Sequence, residues 1–252
     1  MQDLTLQSLY KKYDIINLKP GKKYDSLGDL YEEYYETVLT DKKRFDVFNS
    51  GISTNEPEQI FFNKVMNFHN IQKVQTVVRL VVPKTKQGGE PKTDVALLIN
   101  SWLKVKATIK ATSAKNVTVA EYSADAIIES LDIKDEETIR LLHKHQRDTC
   151  AKNFTSQEKV LLKERLFDIK KNMVRWALTG SPSANSQDIR VADFSCCFKL
   201  DKNNKLKNYS LFTTEDCVNI IASRTAGFGT GLSWTYATNS KGERIQFKAP
   251  VL

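Results

Sequence analysis

Residues 91–110, PKTDVALLINSWLKVKATIK, read as two adjacent strands joined by a tight turn. Val95, Ala96, Leu97, Leu98 and Ile99 make the first an apolar run. Leu103, Val105, Ala107 and Ile109 alternate with polar residues in the second, the period expected of a half-buried strand. Asn100-Ser101 supplies turn chemistry between them. Asp94 opens the first strand and Lys110 lies near the end of the second. Thr108 and Lys110 are two apart, so their side chains share a face. Whether Asp94 shares it depends on the pairing register, which the sequence leaves open.

An acidic residue on one strand with x-x-Lys ending the next is how a magnesium-dependent nuclease core arranges its groups. Phosphodiester hydrolysis adds negative charge to the phosphate and needs a nucleophilic water. A hard cation held by carboxylate and carbonyl oxygens polarises the phosphate and lowers the pKa of the water. A lysine ammonium stabilises the developing charge. The pattern is short, and an ordinary hairpin with an exposed lysine carries it too.

Composition bounds the partners. The chain has 252 residues, enough for one large domain or two small ones. Lys and Arg number 38 against 30 Asp and Glu, a formal net charge of +8. With 12 Phe, 9 Tyr and 3 Trp, this basic balance fits a nucleic-acid partner, since releasing counterions from phosphates drives such binding. No stretch reaches the 18 or so apolar residues of a membrane span. The opening MQDLTLQSLYKKY is amphipathic without a signal-peptide core, and a cytoplasmic location is expected. Cys150, Cys196, Cys197 and Cys217 lack C-x-x-C spacing and read as reduced thiols rather than a zinc site.

Residues 3–13 predict a short amphipathic helix with Leu4, Leu6, Leu9 and Tyr10, then a loop with a Pro20-Gly21 turn. Residues 26–39 predict a helix with an apolar stripe of Leu27, Leu30, Tyr31, Tyr34, Tyr35 and Val38, capped by Asp25 or Ser26. Its Glu32, Glu33 and Glu36 lie off the stripe, as solvated charges or as one outer contact to a metal. Residues 40–56 read as loop, 57–71 as a helix opened by Pro57, 74–82 as a buried or half-buried strand and 84–92 as a flexible basic turn. Thr118 or Asn116 would cap a helix running to about Leu131, and a further helix spans 135–148. His143 and His145, two apart, point in different directions on a helix, which argues against zinc. A phosphate-facing His145-Gln146-Arg147 is the alternative.

Residues 156–180 give the longest helical pattern. Ser156 caps it, Gly180 ends it, and Val160, Leu161, Leu166, Ile169, Met173 and Trp176 face inward. Residues 188–200 and 205–214 predict an antiparallel pair around Asn203-Asn204. Residues 227–250 are glycine-rich, then read as a β-hairpin presenting Thr235, Gln246 and Lys248. Such alternating polar side chains suit base edges and phosphates, and a β-ribbon fits the major groove. A surface hairpin that merely closes the fold has the same pattern.

Several blocks together resemble the MspI-like type II restriction endonucleases, a branch of the PD-(D/E)xK nucleases. They are LGDLYEEY (27–34), GGEPKTDVAL (88–97), VTVAEYSADAI (117–127), LLHKHQRDTCAKNFT (141–155), RWALT (175–179) and GFGTGLSWTYATNSKGERIQFK (227–248). They span nearly the whole chain in the family's order. The resemblance implies an α/β (α+β) fold with a central mixed sheet flanked by helices and a C-terminal hairpin. It implies one domain over 1–252, with a catalytic core at roughly 25–135 and a helical, DNA-recognising part at roughly 136–252.

Residue by residue, the resemblance makes Asp94 the metal-binding aspartate and Lys110 the catalytic lysine. Thr108 stands where the family pattern has Asp, Glu, Asn or Gln, so Mg²⁺ would rest on Asp94, the Ile109 carbonyl, water and phosphate. Glu32 matches a helix glutamate that assists through water. Thr118 and Glu121 match a loop-to-helix segment that contacts bases, and Thr235, Gln246 and Lys248 match a second reading element. Lys92, His145 and Arg147 are further DNA-binding candidates. The implied activity is Mg²⁺-dependent cleavage of double-stranded DNA at a short G·C palindrome, CCGG, by a monomer or weak dimer. A cognate methyltransferase would be its genetic partner. Thr108 keeps a second reading open, a sequence-specific DNA-binding protein of the same fold with weak or lost catalysis.

Overall fold

The computed structural model describes residues 6–15, 17–18, 20–84, 91–184 and 187–252. The strands are β1 (Val77–Arg79), β2 (Val95–Ile99), β3 (Leu103–Thr112), β4 (Asn116–Tyr122), β5 (Phe194–Leu200), β6 (Leu206–Thr213), β7 (Ser233–Thr235) and β8 (Ile245–Pro250). The helices are α1 (Leu6–Lys12), α2 (Pro20–Thr40), α3 (Lys42–Asn49), α4 (Pro57–Phe68), α5 (Ala124–Ser130), α6 (Glu136–Asp148), α7 (Ser156–Phe167), α8 (Lys170–Thr179) and α9 (Thr214–Ala222). They group into two compact units, residues 1–113 with 188–213 and residues 114–187 with 214–252. The chain leaves the first unit at 113 and returns to it for 188–213. Among the described residues no helix is long and apolar enough to cross a membrane.

The first unit is built on a mixed sheet in the order β1-β2-β3-β5-β6. The β3–β5 pair is parallel and the other pairs are antiparallel. One face carries Leu97, Ile99, Val105, Ile109, Phe194, Phe198 and Tyr209 into a core shared with Leu27, Leu30, Tyr31 and Tyr35 of α2 and Phe61, Phe62 and Val65 of α4. Tyr35 meets Phe198 edge-on at 5.2 Å and Phe61 at 5.6 Å, the ring geometry aromatic quadrupoles favour. The stripe expected on 26–39 is therefore the core face of α2.

The differences from expectation have local causes. Helix α2 starts at Pro20, so Pro20-Gly21 opens a helix instead of a turn; proline's fixed φ suits that position. Residues 42–49 form α3, because the Asp41 side chain accepts from Lys43 N and Phe45 is buried. Strand β1 is only three residues, and Val78 is exposed, since it lies at the sheet edge and pairs with β2 alone. Helix α4, opened by Pro57 and ended at His69, matches the expectation. Leu4 and residues 85–90, most of the expected basic turn, lie outside the described residues.

The second unit holds a three-stranded sheet in the order β4-β8-β7. Residues 116–122, expected to start a helix, are strand β4; the alternation of NVTVAEY, with its β-branched residues, wins over the capping signal. Ser123 caps the helix that follows, accepting from Ala126 N. The long pattern 156–180 breaks into α7 and α8 around residues 168–169. Thr155, not Ser156, caps α7 in a capping box with Glu158, which turns Leu162 inward and leaves Val160 54% exposed. Gly180 ends α8 with a φ of 77°, as its position predicted.

Candidate active site and recognition sheet

Antiparallel pairing sets Val95 opposite Ala107, and the tip residues Asn100 and Ser101 both take positive φ, the sign a primed hairpin turn needs. Asp94 lies one residue before β2, and its N–H donates to Ala107 O at 3.0 Å. There β2 ends while β3 continues to Thr112. The Asp94 carboxylate takes over from the missing strand. Its Oδ2 accepts from Ile109 N at 2.6 Å and from Thr108 Oγ1 at 2.9 Å, and Lys110 Nζ lies 3.5 Å away. The register that the sequence left open thus gathers Asp94, Thr108 and Lys110 at one edge. Thr108 is buried, so its hydroxyl orients the carboxylate rather than facing solvent.

Three glutamates of α2 have three different environments. Glu33 pairs with Lys12 at 2.6 Å, and Glu36 pairs with Arg79. Glu32 faces the cluster. Burial, followed by the negative charge of Asp94, pushes its carboxyl up from 4.5 to about 7, against the opposing pull of Lys110. A cation would relieve that strain between the two acids.

The donor set fits a hard divalent ion. All contacts described for Asp94 fall on Oδ2, leaving Oδ1 available among the described residues. The Ile109 N–H points to the edge where β2 has ended, and in a strand the carbonyl of the same residue leaves on the same side. No group of three His, Cys, Asp or Glu side chains converges among the described residues. Two carboxylates and a carbonyl suit Mg²⁺, which keeps several waters and uses substrate phosphate, rather than a caged Zn²⁺.

The second unit gathers the other candidates. Gln246 of β8 pairs with Glu121 of β4 on one side and Thr235 of β7 on the other. Lys248 likewise pairs with Thr118 and with Ser233. Thr118 and Glu121 are three apart and would ordinarily face opposite ways. A register shift between Thr118 and Ala120 brings both to one face. The opposite face carries Ile245, Phe247 and Ala249, all buried. Five residues expected to read bases therefore share a small polar sheet face, and Ser233, which sequence reasoning passed over, joins them. Its signal was the alternation of SWT against IQFK. Thr118 and Glu121 reach this face from a strand, not from the loop-to-helix segment expected.

A glycine-rich turn leads into this sheet. Gly231 has a φ of 85°, and a Cβ there would come within 1.8 Å of Ile221 O, so only glycine fits.

The family model for restriction endonuclease MspI matches residues 10–249. The type II restriction enzyme MspI of Moraxella sp is 30% identical, with 98% of this chain and 100% of that enzyme aligned. The chain belongs to the MspI family of type II restriction endonucleases. The type II restriction enzyme BsuFI of Bacillus subtilis is 25% identical over 92% of this chain and 61% of that enzyme. A crystal structure of restriction endonuclease MspI in complex with its cognate DNA matches at a TM-score of 0.82 and 30% identity, covering 99% of this chain and all of that one.

Against this family background, three candidates separate from the rest. His145 is 2% exposed and ringed by Phe154, Phe228 and Trp234 at 5.3–6.2 Å between ring centres, so it does not face phosphate. Burial lowers its pKa to about 4, and it stays neutral. Gln146 is also used internally, accepting from Ala124 N at 2.6 Å. The helical pattern of α6 explains both: its apolar stripe of Leu141 and Leu142 continues through His145. Arg147 points outward, its side chain 71% exposed beside Asp148. Lys92 is half-buried two residues before Asp94.

Proposed function

We propose that the protein hydrolyses phosphodiester bonds of double-stranded DNA at a four-base G·C palindrome, CCGG, with Mg²⁺ as cofactor. The observation that carries the reading is the Asp94 carboxylate held by Thr108 and Ile109 with Lys110 beside it, facing Glu32. Asp94, the Ile109 carbonyl and, through water, Glu32 would hold the ion. When bound, Mg²⁺ supplies polarisation of the phosphate and a more acidic water.

The chain's own groups do the rest. Thr108 and Ile109 N hold Asp94 in one orientation, so no reorganisation is needed as charge builds. Lys110 places an ammonium where the phosphate gains negative charge. Glu32, pushed up to about 7 without a cation and lowered when one binds, is ionised near neutral pH in the loaded site and would accept the proton of the attacking water. The phosphorus–oxygen bond opposite the water then breaks, and the departing oxygen takes a proton from solvent.

Sequence reading rests on the β4-β8-β7 face. Lys248 suits guanine O6 and N7, and Glu121 suits the cytosine amino group. Arg147 and Lys92 supply phosphate contacts, which add affinity without sequence information. Self-cleavage would be prevented in the cytoplasm by a methyltransferase acting on the same site, and the protein would work as a monomer or weak dimer.

The test is digestion of unmethylated phage DNA with purified protein and Mg²⁺, followed by sequencing of fragment ends. Discrete ends within CCGG support the whole reading. Discrete ends elsewhere overturn the specificity alone. Binding without cutting favours the second reading, a DNA-binding protein in which Thr108 does not replace the family's carboxylate or amide.

A further inference from the structure

We infer that Glu121, beyond the base contact proposed for it, sets the polarity of Gln246, so that the pair presents hydrogen-bond acceptors to DNA and demands an exocyclic amino group there. The inference rests on the proposed DNA-cleaving function.

The two residues are directly opposed across β4 and β8, and Gln246 Nε2 donates to Glu121 Oε1 at 2.6 Å. An amide has a donating end and an accepting end of nearly the same shape, and its orientation follows its partners. A carboxylate only accepts. Glu121 therefore admits one orientation of Gln246, with the nitrogen turned toward it. The carbonyl Oε1 of Gln246 is then turned away from the carboxylate. Neither this oxygen nor Glu121 Oε2 takes a hydrogen bond among the described residues.

Both side chains are half-buried on the polar face, and the face beneath them is packed by Phe247 and Ile245. The row thus carries two acceptors, and Lys248, two residues along β8, carries donors only. In the major groove, cytosine N4 and adenine N6 donate, whereas thymine O4 and guanine O6 accept. An acceptor row admits cytosine and rejects thymine at the same place. The lysine row admits guanine. The preference for an amino-bearing base, cytosine over thymine, is in this way a property of the pair, not of either residue.

The substitution Glu121→Gln tests this. Two facing amides can pair either way round, so Gln246 is freed to turn its nitrogen outward. Wild type and variant are compared on CCGG duplexes and on duplexes with thymine replacing each cytosine, by cleavage rate and by fluorescence anisotropy in Ca²⁺. Discrimination against thymine at one position falls by about tenfold in the variant, the scale of one hydrogen bond made or lost. General damage to the fold would lower all rates together and leave the ratio unchanged, and an unchanged ratio overturns the inference.

A second measurement needs no variant. Wild type is tested on duplexes in which each cytosine in turn is replaced by 2-pyrimidinone, which lacks the 4-amino group. A loss of about tenfold at one position is expected. No loss at either cytosine overturns the inference while leaving the nuclease reading intact. A wild-type protein that neither cuts nor binds any duplex overturns that reading, and this inference with it.

Discussion

The edge of the β2–β3 hairpin and the β4-β8-β7 face solve the same problem at different ranges. At the hairpin, Asp94 and Lys110 are 16 residues apart, and a three-residue connection sets the register that joins them. On the β4-β8-β7 sheet, Glu121 and Gln246 are 125 residues apart and meet only through a strand pairing with a bulge in it. Local constellations are robust to changes elsewhere. Distant ones depend on every element that sets the register. The catalytic and reading functions proposed for them should therefore respond differently to substitution, and that difference can be tested.

The sharpest break comes from Asp94→Ala. Removing the carboxylate takes away the main ligand proposed for the cation and the acceptor of three neighbouring donors. Cleavage in Mg²⁺ should fall by about 10³-fold or more, since a bound metal contributes several kcal/mol to such a transition state. Duplex binding measured by anisotropy should remain. Loss of binding in step with cleavage would mean that the two regions are not separable.

Lys248→Met probes the other side. It keeps the length and apolar stem of the side chain while removing the donors. Discrimination for guanine should drop by about 1–3 kcal/mol, read as the ratio of cleavage rates on cognate and guanine-substituted duplexes. An equal drop on every duplex would assign Lys248 to phosphate rather than to a base.

Glu32→Gln sharpens the comparison through pH. The folded pKa, about 7, lies above the ordinary value of 4.5, so the folded state holds its proton more tightly. Stability from this group is present below about pH 4.5 and is lost as pH rises toward 7. The metal-free variant should therefore gain in Tm over wild type at pH 8 but not at pH 4. Wild-type cleavage should rise with pH through the titration of Glu32, whose value of about 7 without a cation is lowered when one binds, and the variant should lack that limb. Matching pH profiles would remove Glu32 from the chemistry.

The smallest effect belongs to Arg147→Ala. An exposed arginine on phosphate should weaken binding on all sequences alike and reduce the slope of log affinity against log salt by about one. A change in sequence preference would contradict a phosphate role.

Several parts of this architecture were legible in the chain. Alternation and turn chemistry over 91–110 predicted the β2–β3 hairpin, and the Asn203-Asn204 turn predicted β5 and β6, because both are local antiparallel pairs. Other parts were misread where two local signals competed. NVTVAEY carries both capping residues and strand alternation, and its partner β8 lies more than a hundred residues away, so only the pairing decided. His145 sits in a basic, polar run, yet the helical period turns it into an aromatic cage. The α7–α8 break likewise appears only with the packing of Leu162 and Leu166.

By itself the sequence determined the hairpin, the core stripe of α2, the polar-apolar alternation of the C-terminal strands and the identity of each candidate group. These follow from nearest-neighbour geometry, in which a period of 2 or 3.6 assigns side chains to faces. The tertiary structure decided the register that joins Asp94 to Thr108 and Lys110, the turning of Glu32 toward them, and the bulge that sets Thr118 and Glu121 side by side. Those depend on contacts between residues far apart in the chain, whose closure a local pattern does not encode.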